Sequence, residues 1–438
     1  MRRMEKIDHH SSIGLMKEAI RNLTSQSIIV WTSKTKSLLS SLYKREESPL
    51  FGKEGLGEIF AMTCFFNYGL LSSIAIFLVF VLFSGYAWTE EKAKNNIHKE
   101  NFSVAVFPIE NLSGTMAPLK DIRGLYISQL KRRGFHILEE ETLEKFMARN
   151  RIRYTGGISK AVAQAFKNET GAGGVLITSL ELYSEANPPK IALTSRLVST
   201  GGDPTILWID GVGLAGDDSP GILGLGLIED PKALLEKAIG RLTGSLEKYL
   251  GKTSKSENIK SAKKKFRPKV SYRSDILVPD TRYTVAVVPF LNFSGRKNAG
   301  EILELQFIRN LKKFEQFDVI EPGIVRQQLL TLRIIIPEGI SLANADALFA
   351  TLNADLILAV NVAEYADYQG TFGKPKVDFF AQMIDRKSRS VVWSSVSHNE
   401  GDDGVFFFDR GRVNTAHAMA SQMAQWIGEK IVEEEKKE

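Results

Sequence analysis

Two stretches with the same pattern decide the fold. They read FSVAVFPIENLSG (Phe102–Gly114) and YTVAVVPFLNFSG (Tyr283–Gly295), and seven of their thirteen positions are identical. Each is a short run of apolar and β-branched residues that ends in Asn-x-Ser-Gly, which is typical of a β-strand followed by a tight turn. The two stretches begin 181 residues apart. The sequence therefore predicts an internal repeat with two copies of one structural unit.

Other landmarks recur in the same order in both copies. The matching segments are Leu130–Glu140 with Leu311–Pro322, Glu169–Tyr183 with Thr351–Tyr365, Trp208 with Trp393, and Gly216-Asp217-Asp218 with Gly401-Asp402-Asp403. Their spacing is nearly constant, and such an ordered series is hard to obtain by chance. We therefore assign one domain to residues 102–250 and a second domain to residues 282–432.

Apolar periodicity predicts the secondary structure of each copy. Ile122, Tyr126 and Leu130 recur every four residues, as expected for the buried face of a helix. Gly134 then follows three basic residues, which is typical of a helix C-terminus. Long strands are predicted at 175–183, 190–198 and 206–214, and a closing helix at 235–246. The predicted order is β-α-β-α-α-β-β-β-α, so the fold class is α/β, with two tandem copies of a mixed-sheet domain.

The segment between the copies, residues 251–281, is predicted to be a basic linker. Over 251–280 it holds nine Lys or Arg against three Asp or Glu and has no apolar periodicity. Its run Lys263–Arg267 has the composition of a contact for nucleic acid or anionic lipid. We favour a solvated linker, because the export predicted below argues against DNA, and we expect no nucleic-acid partner.

A single membrane segment precedes the repeat. No charged residue occurs from Met62 to Ala87, and Tyr68–Trp88 gives 21 residues, enough for one helix to cross a bilayer. Residues 1–61 hold ten Lys or Arg against seven Asp or Glu, which predicts a cytoplasmic N-terminus and both copies outside. We therefore predict a signal anchor at residues 62–88, with cleavage after Ala87 as the alternative. Residues 47–59 also resemble translated intergenic repeats, which puts in question whether the leader 1–61 is genuine coding sequence.

The net charge follows this organisation. The chain of 438 residues has a formal charge of +6 and a pI near 9.0. Residues 1–87 contribute +3, residues 88–250 contribute 0, residues 251–280 contribute +6 and residues 281–438 contribute −3. The basic excess thus belongs to the leader and the linker, so it does not indicate a nucleic-acid-binding fold. One cysteine, Cys64, excludes an intramolecular disulfide and a cysteine-based zinc site.

The phrase V-A-V-x-P-x-x-N-x-S-G at the start of each copy resembles the amino-terminal domain of TolB. The whole unit is similar to the periplasmic domain of CsgG-like proteins, the curli-secretion channel lipoproteins. The resemblance covers residues 102–250 and 283–432, and it implies a bacterial envelope protein that works through protein contacts. There is no β-propeller and no lipobox, and the strand connections are too short to carry membrane-spanning hairpins.

We therefore expect a non-enzymatic, inner-membrane-anchored protein with two periplasmic protein-binding domains, active in envelope integrity or assembly. The alternative is an oligomeric outer-membrane secretion or assembly component of the curli-channel type. The expected partners are envelope proteins of unknown identity, with homo-oligomerisation left open. We expect no catalytic residues, no metal and no cofactor. The best candidates for a shared recognition edge are the turn residues Asn111, Ser113, Gly114, Asn292, Ser294 and Gly295.

Overall fold

The protein is described by a computed structural model. The structure describes residues 102–218, 226–251, 261–336, 339–368, 373–405 and 411–433. The predicted leader, 1–61, and the predicted signal anchor, 62–88, lie outside these residues. Within the described ranges, no helix is both long enough and apolar enough to cross a membrane.

The first copy contains six strands and four helices in its described part. The strands are β1 (Ser103–Val106), β2 (Glu110–Asn111), β3 (His136–Ile137), β4 (Gly174–Ser184), β5 (Lys190–Ser199) and β6 (Ile206–Ala215). The helices are α1 (Leu119–Arg132), α2 (Glu140–Arg149), α3 (Lys160–Thr170) and α4 (Pro231–Gly251).

The second copy repeats this order. Its strands are β8 (Tyr283–Val287), β9 (Leu291–Asn292), β10 (Phe317–Val319), β11 (Leu356–Ala366), β12 (Lys376–Asp385) and β13 (Val391–Glu400), and one further strand, β7 (Val270–Arg273), precedes them. Its helices are α5 (Ala299–Leu311), α6 (Pro322–Thr331), α7 (Leu342–Leu352) and α8 (Ala416–Val432).

Both copies form mixed sheets with the same topology. Sheet 1 has the order β3-β1-β4-β5-β6, and sheet 2 has the order β10-β8-β11-β12-β13-β7. The first three strands of each list are parallel, and the following strands are antiparallel. The short strands β2 and β9 pair beside β4 and β11. The predicted mixed α/β class is therefore confirmed, and the predicted element order occurs twice with β2, β9 and β7 added.

The predicted helix faces are buried as expected. Ile122, Tyr126 and Leu130 of α1 are fully buried, and they pack with residues of α4 against one face of sheet 1. The helix ends at Arg132, and Gly134 follows with φ of 77°, the left-handed conformation that glycine adopts at low cost. On the other face, Phe166 of α3 joins α2 and α3 to a second core beside β1 and β4.

Helices α5 and α8 lie between the two sheets. One side of this helix pair packs on sheet 2 in the largest hydrophobic core, which also includes Leu112 and Ile206 of the first copy. The other side contacts β6 of sheet 1. Both copies accordingly belong to one compact unit, residues 95–438. The layers follow one another as α1 with α4, sheet 1, α5 with α8, and sheet 2.

Part of the segment predicted as a linker is folded onto the second copy. Strand β7 pairs antiparallel with β13, and Phe266, inside the basic run, is completely buried in the large core. Lys265 Nζ donates hydrogen bonds to the carbonyl oxygens of Asp403 and Gly411, at 2.8 and 2.7 Å. This part of the segment is therefore not a solvated linker. A single aromatic residue in a polar run provides the anchor, and a four-residue strand is too short to show a period.

Candidate functional site

The two predicted turns have the same hydrogen bonds. Asn111 Oδ1 accepts from Ser113 N and Oγ at 3.1 and 2.7 Å, and its Nδ2 donates to the Thr115 carbonyl. Asn292 Oδ1 accepts from Ser294 N and Oγ at 3.0 and 2.6 Å, and its Nδ2 donates to the Arg296 carbonyl. The Asn and Ser side chains thus shape the turn itself, as such residues commonly do.

The structure brings these two turns together. Asn298 Nδ2 donates to the Leu112 carbonyl at 3.3 Å, and Lys297 lies beside Gly114. Gly114 has φ of 74°, which explains the glycine there, whereas in the second turn Asn298 takes the left-handed conformation with φ of 61°. Beside the first turn, residues 116–118 and 183–186 line an open groove of about 550 Å³. That the turns form a recognition edge stays a prediction.

The paired aspartates of both copies support turns. Asp218 accepts a hydrogen bond from Ala215 N at 2.9 Å, and Asp403 accepts one from Glu400 N at 3.0 Å. These are equivalent positions at the ends of β6 and β13. Among the described residues, no group of three or more His, Cys, Asp or Glu side chains is placed to hold a metal ion.

A polar face of sheet 1 receives the helix pair α5 and α8. Glu181 and His417 are both buried, and His417 Nδ1 lies 2.5 Å from Glu181 Oε2. Gln306 Nε2 donates to Glu181 and to Thr194 at 3.1 and 3.2 Å. Buried polar groups of this kind need such partners, because an unpaired one costs free energy. The copies are therefore joined by a specific polar network rather than by apolar packing alone.

Two glycines of β6 allow this close approach. A Cβ atom at Gly213 would lie 2.8 Å from Thr415 Oγ1 and 2.9 Å from His417 Cδ2. A Cβ atom at Gly211 would lie 3.0 Å from His417 Cε1. Glycine inside a strand often marks such an approach of another element. The N-terminus of α8 thus packs directly on the strand segment Asp210-Gly211-Val212-Gly213.

The same region holds the most deeply buried ion pair described. Arg196 on β5 donates to both carboxylate oxygens of Glu321 at 3.0 and 3.1 Å, and both side chains are essentially inaccessible to solvent. Glu321 directly precedes α6 of the second copy. Close by, Gly157 and Gly323 bring the two backbones so near that a Cβ on either would be 2.8 Å or less from the other copy's backbone.

Carboxylates from both copies also gather at this contact. The pKa of Glu304 on α5 is raised to about 8, mainly by burial; Arg196 lowers it, and the carboxylates of Glu301, Glu110 and Glu321 also raise it. Burial likewise raises the pKa of Glu110 on β2, although Ser179 donates to it at 2.7 Å. The raised pKa values of both carboxylates thus have burial at this contact as their main cause.

We expect the stability of the protein to fall as the pH rises from about 4.5 to 8. Because the pKa of Glu304 is higher in the folded than in the unfolded chain, the folded chain binds more protons in this window. The slope should be at most about 1.4 kcal/mol per pH unit. Glu304→Gln should flatten it, which urea unfolding at pH 5, 6, 7 and 8 measures. An equal slope in the variant would show that other groups bind the proton.

The two copies can be compared position by position because their irregularities coincide. A register shift interrupts β4 between Leu180 and Leu182 and β11 between Val362 and Glu364. A second shift interrupts β5 after Leu197 and β12 after Met383. With the bulges matched, each residue on the face of sheet 1 that contacts α5 and α8 has an equivalent residue in sheet 2. The equivalent pairs, first copy first, are Glu181 and Ala363, Thr194 and Phe380, Arg196 and Gln382, Gly211 and Val396, and Gly213 and His398.

The part of the corresponding face of sheet 2 that lies on β12, β13 and β7 is exposed, whereas α6 and α7 pack on the part that includes Ile357, Ala359 and Ile384. Phe380, Val396 and Val270 are opposite one another on β12, β13 and β7, so their side chains share this face. They are 37, 45 and 66% exposed. Thr194 and Gly211, the counterparts of Phe380 and Val396 in sheet 1, lie under α5 and α8. The exposed face is thus more apolar than its covered equivalent, the reverse of what solvation favours.

Polar rows flank the apolar row along the strands. On one side Asp378 lies opposite His398, with His398 Nδ1 2.6 Å from the carboxylate. On the other side lie Gln382, Ser394 and half-exposed Tyr272. An apolar centre with a polar border is the composition of protein-binding surfaces. We call these eight residues, with Val270, Phe380 and Val396 at the centre, the open sheet face. Sequence reasoning missed it, because strand pairing is needed to place the rows together.

In its described part the chain is a mixed α/β protein in which the helix pair α5 and α8 lies between two sheets and part of sheet 2 is exposed. No protein-family model matches the chain, and no curated protein matches its sequence. Several solved structures are similar to part of it. The PelC dodecamer from Paraburkholderia phytofirmans has 19% identity over 36% of this chain and 95% of that chain, with a TM-score of 0.25. Lipoprotein GNA1162 from Neisseria meningitidis has 16% identity over 33% of this chain and 98% of that chain, with a TM-score of 0.24.

The C-terminal domain of LpoB from Salmonella enterica is a further similar structure. It has 16% identity over 26% of this chain and 84% of that chain, with a TM-score of 0.23. The resemblance to the TolB and curli-channel families stays a prediction beside these matches.

Proposed function

We propose that this chain is a non-enzymatic bacterial envelope protein that binds other proteins through its second copy. Residues 68–88 would anchor it in the inner membrane, with both copies in the periplasm and a role in envelope integrity or assembly. The charge-free segment and its basic N-terminal flank support this topology. The resemblance of both copies to envelope families supports the location.

The observation that carries the proposal is the open sheet face. In the first copy, the helix pair α5 and α8 of the same chain packs on the equivalent face. This side of the fold can therefore bind a protein element. In the second copy, Phe380 and Val396 replace Thr194 and Gly211, although the surface is exposed. Apolar substitutions on an exposed sheet are costly unless a partner covers them.

A photo-reactive benzoylphenylalanine at position 396 tests this proposal in living cells. We expect ultraviolet light to produce adducts of higher mass, because the side chain would lie at the centre of the bound partner. The matched control places the same residue at Leu330, which is 60% exposed on α6 and does not belong to the open sheet face. Equal yields at the two positions, or none at 396, 380 and 270, would argue against protein binding at this face.

The anchor has its own measurement. We expect the protein extracted from membranes to retain residues 1–87, because a signal anchor is not removed. The intact mass of the purified protein distinguishes this from cleavage after Ala87, which would leave a chain that begins at Trp88. A start within the leader would give a third mass, with the charge-free segment still present.

A further inference from the structure

The open sheet face lies in a recess beside a layer of helices. Helices α6 and α7 pack on Ala359 of β11, and Ala359 is directly opposite Gln382 of the open sheet face. An α-helix is about 10–12 Å across, so these two helices rise above the strand surface next to Gln382. At its other side the face ends at β7, the last strand of sheet 2.

In the first copy, helices occupy the equivalent recess. Helices α2 and α3 pack on sheet 1 in a core that includes Val198, the equivalent of Ile384 under α6 and α7. Beside them, α5 and α8 contact the same face, where Gln306 bonds to Thr194 and His417 lies against Gly213. The recess is thus of a form that receives helices, and its counterpart on sheet 2 is left exposed.

A cluster of cations lies at the β7 side of this recess. Residues 261–273 contain six Lys or Arg and no Asp or Glu. Lys265 and Arg273 donate to backbone carbonyls. The others are exposed and form no ion pair with any residue that the structure describes; these four, which we call the basic cluster, are Lys263, Lys264, Arg267 and Lys269.

The basic cluster adjoins the apolar row. Lys269 directly precedes Val270, and its backbone nitrogen donates to the Val396 carbonyl at 2.8 Å. The carboxylate of Asp403 interacts electrostatically with Lys269, but it already accepts a hydrogen bond from Asn399 at 2.9 Å. The surface beside β7 is therefore positive, and it is complementary to carboxylates.

We infer that the open sheet face binds a helical element of a partner protein, with an apolar side on Phe380 and Val396 and carboxylates along the flank that meets the basic cluster. The inference rests on the proposed function, which makes this face a binding surface, and it adds the chemistry of the partner. An anionic bilayer offers the same charge. Its flat surface would meet α6 and α7 before it reached the recess, which favours a protein.

Charge reversal tests the inference in cells that carry benzoylphenylalanine at position 396. We expect Arg267→Glu with Lys269→Glu to lower the yield of protein adducts by roughly tenfold, because the carboxylates of the partner would then be repelled. The matched control, Lys120→Glu with Lys131→Glu, reverses two exposed cations of α1 and should leave the yield unchanged. Arg267→Gln with Lys269→Gln should give a smaller loss, and it replaces the reversal if that variant alters the circular dichroism spectrum.

Synthetic peptides test the same chemistry on the purified full chain in non-ionic detergent. Both peptides are amphipathic helices with one leucine side, and the flanks of that side carry glutamate in one and lysine in the other. At position 396 the glutamate peptide should give roughly tenfold more adduct than the lysine peptide. The charge-reversed chain should prefer the lysine peptide.

Equal adduct yields from the two peptides, or no adduct with either, would overturn the inference. So would an unchanged yield in cells after Arg267→Glu with Lys269→Glu, which would leave the basic cluster a guard of the sheet edge. An adduct with the added mass of a phospholipid would overturn it in favour of membrane contact. If position 396 still gives protein adducts that do not depend on the basic cluster, the inference falls and the proposed function stands.

Discussion

Replacing Arg196 by alanine should lower the free energy of unfolding by about 3–5 kcal/mol. The guanidinium group donates to both oxygens of Glu321, at 3.0 and 3.1 Å, and also to the carbonyl of Gly156. Without it, the Glu321 carboxylate stays buried with no cation beside it. Removing one partner of a buried pair is costly for this reason, even where the pair as a whole adds little net stability. Urea unfolding followed by tryptophan fluorescence measures the loss.

Two further variants separate this explanation from general damage. Lys145→Ala breaks the exposed pair Lys145–Glu141 within α2, and we expect a change of no more than about 0.5 kcal/mol. The double variant Arg196→Met with Glu321→Leu replaces both charges by apolar groups and should recover most of the loss. If Arg196→Ala unfolds within about 1 kcal/mol of the parent chain, the pair does not join the copies in the way described.

The sequence predicts the inside of each copy well because the relevant signals are local. The four-residue spacing of Ile122, Tyr126 and Leu130 reports a helix face, and all three are buried. The strands predicted at 175–183, 190–198 and 206–214 differ from the observed β4, β5 and β6 by one residue at each altered end. Periods of 3.6 and 2 arise within one element, so one sequence is enough to detect them.

The contact between the copies is less visible, since a repeat predicts two similar folds but not how they pack. In the sequence, this contact is indicated only by residues that are unusual inside a strand. Arg196 and Glu181 are charged residues inside long predicted strands, and Gly211 and Gly213 alternate along β6. A charge in a buried strand requires a partner, and a strand glycine suggests a close approach. Which partner and which element remain open until the structure places Glu321, His417 and α8.

The open sheet face could not be predicted from the sequence for a different reason. Phe and Val are typical of buried strands. Only the register of β12 and β13 places Phe380 and Val396 together on the open sheet face. The candidate turns show the converse. Asn111 and Asn292 are correctly placed after the first strands, yet the bonds they make, to Ser113 and Ser294, are local. A motif shared by two copies can reflect the needs of the fold as readily as those of a binding site.

Gly323→Ala should destabilise the protein by about 3 kcal/mol, the upper part of the range for overpacking. The added Cβ would lie 2.3 Å from the backbone nitrogen of Ile158 and 2.6 Å from its carbonyl oxygen. These are backbone atoms, which cannot rotate away as a side chain can. The start of α6 would have to move from the first copy, which also disturbs Glu321 two residues earlier and its bond to Arg196.

The matched control is the same substitution where there is space. Gly124 lies inside α1, and nothing would approach its Cβ within 4 Å, so Gly124→Ala should stabilise the protein by about 0.5–1 kcal/mol. Gly157→Ala attacks the contact from the other copy, where the Cβ would meet the Cα of Gly323 at 2.8 Å, and should cost as much as Gly323→Ala. Opposite signs for Gly124→Ala and the two contact variants in urea unfolding identify the close approach of the backbones as the cause. If all three variants changed the free energy of unfolding in the same direction, the cause would instead be the replacement of glycine as such.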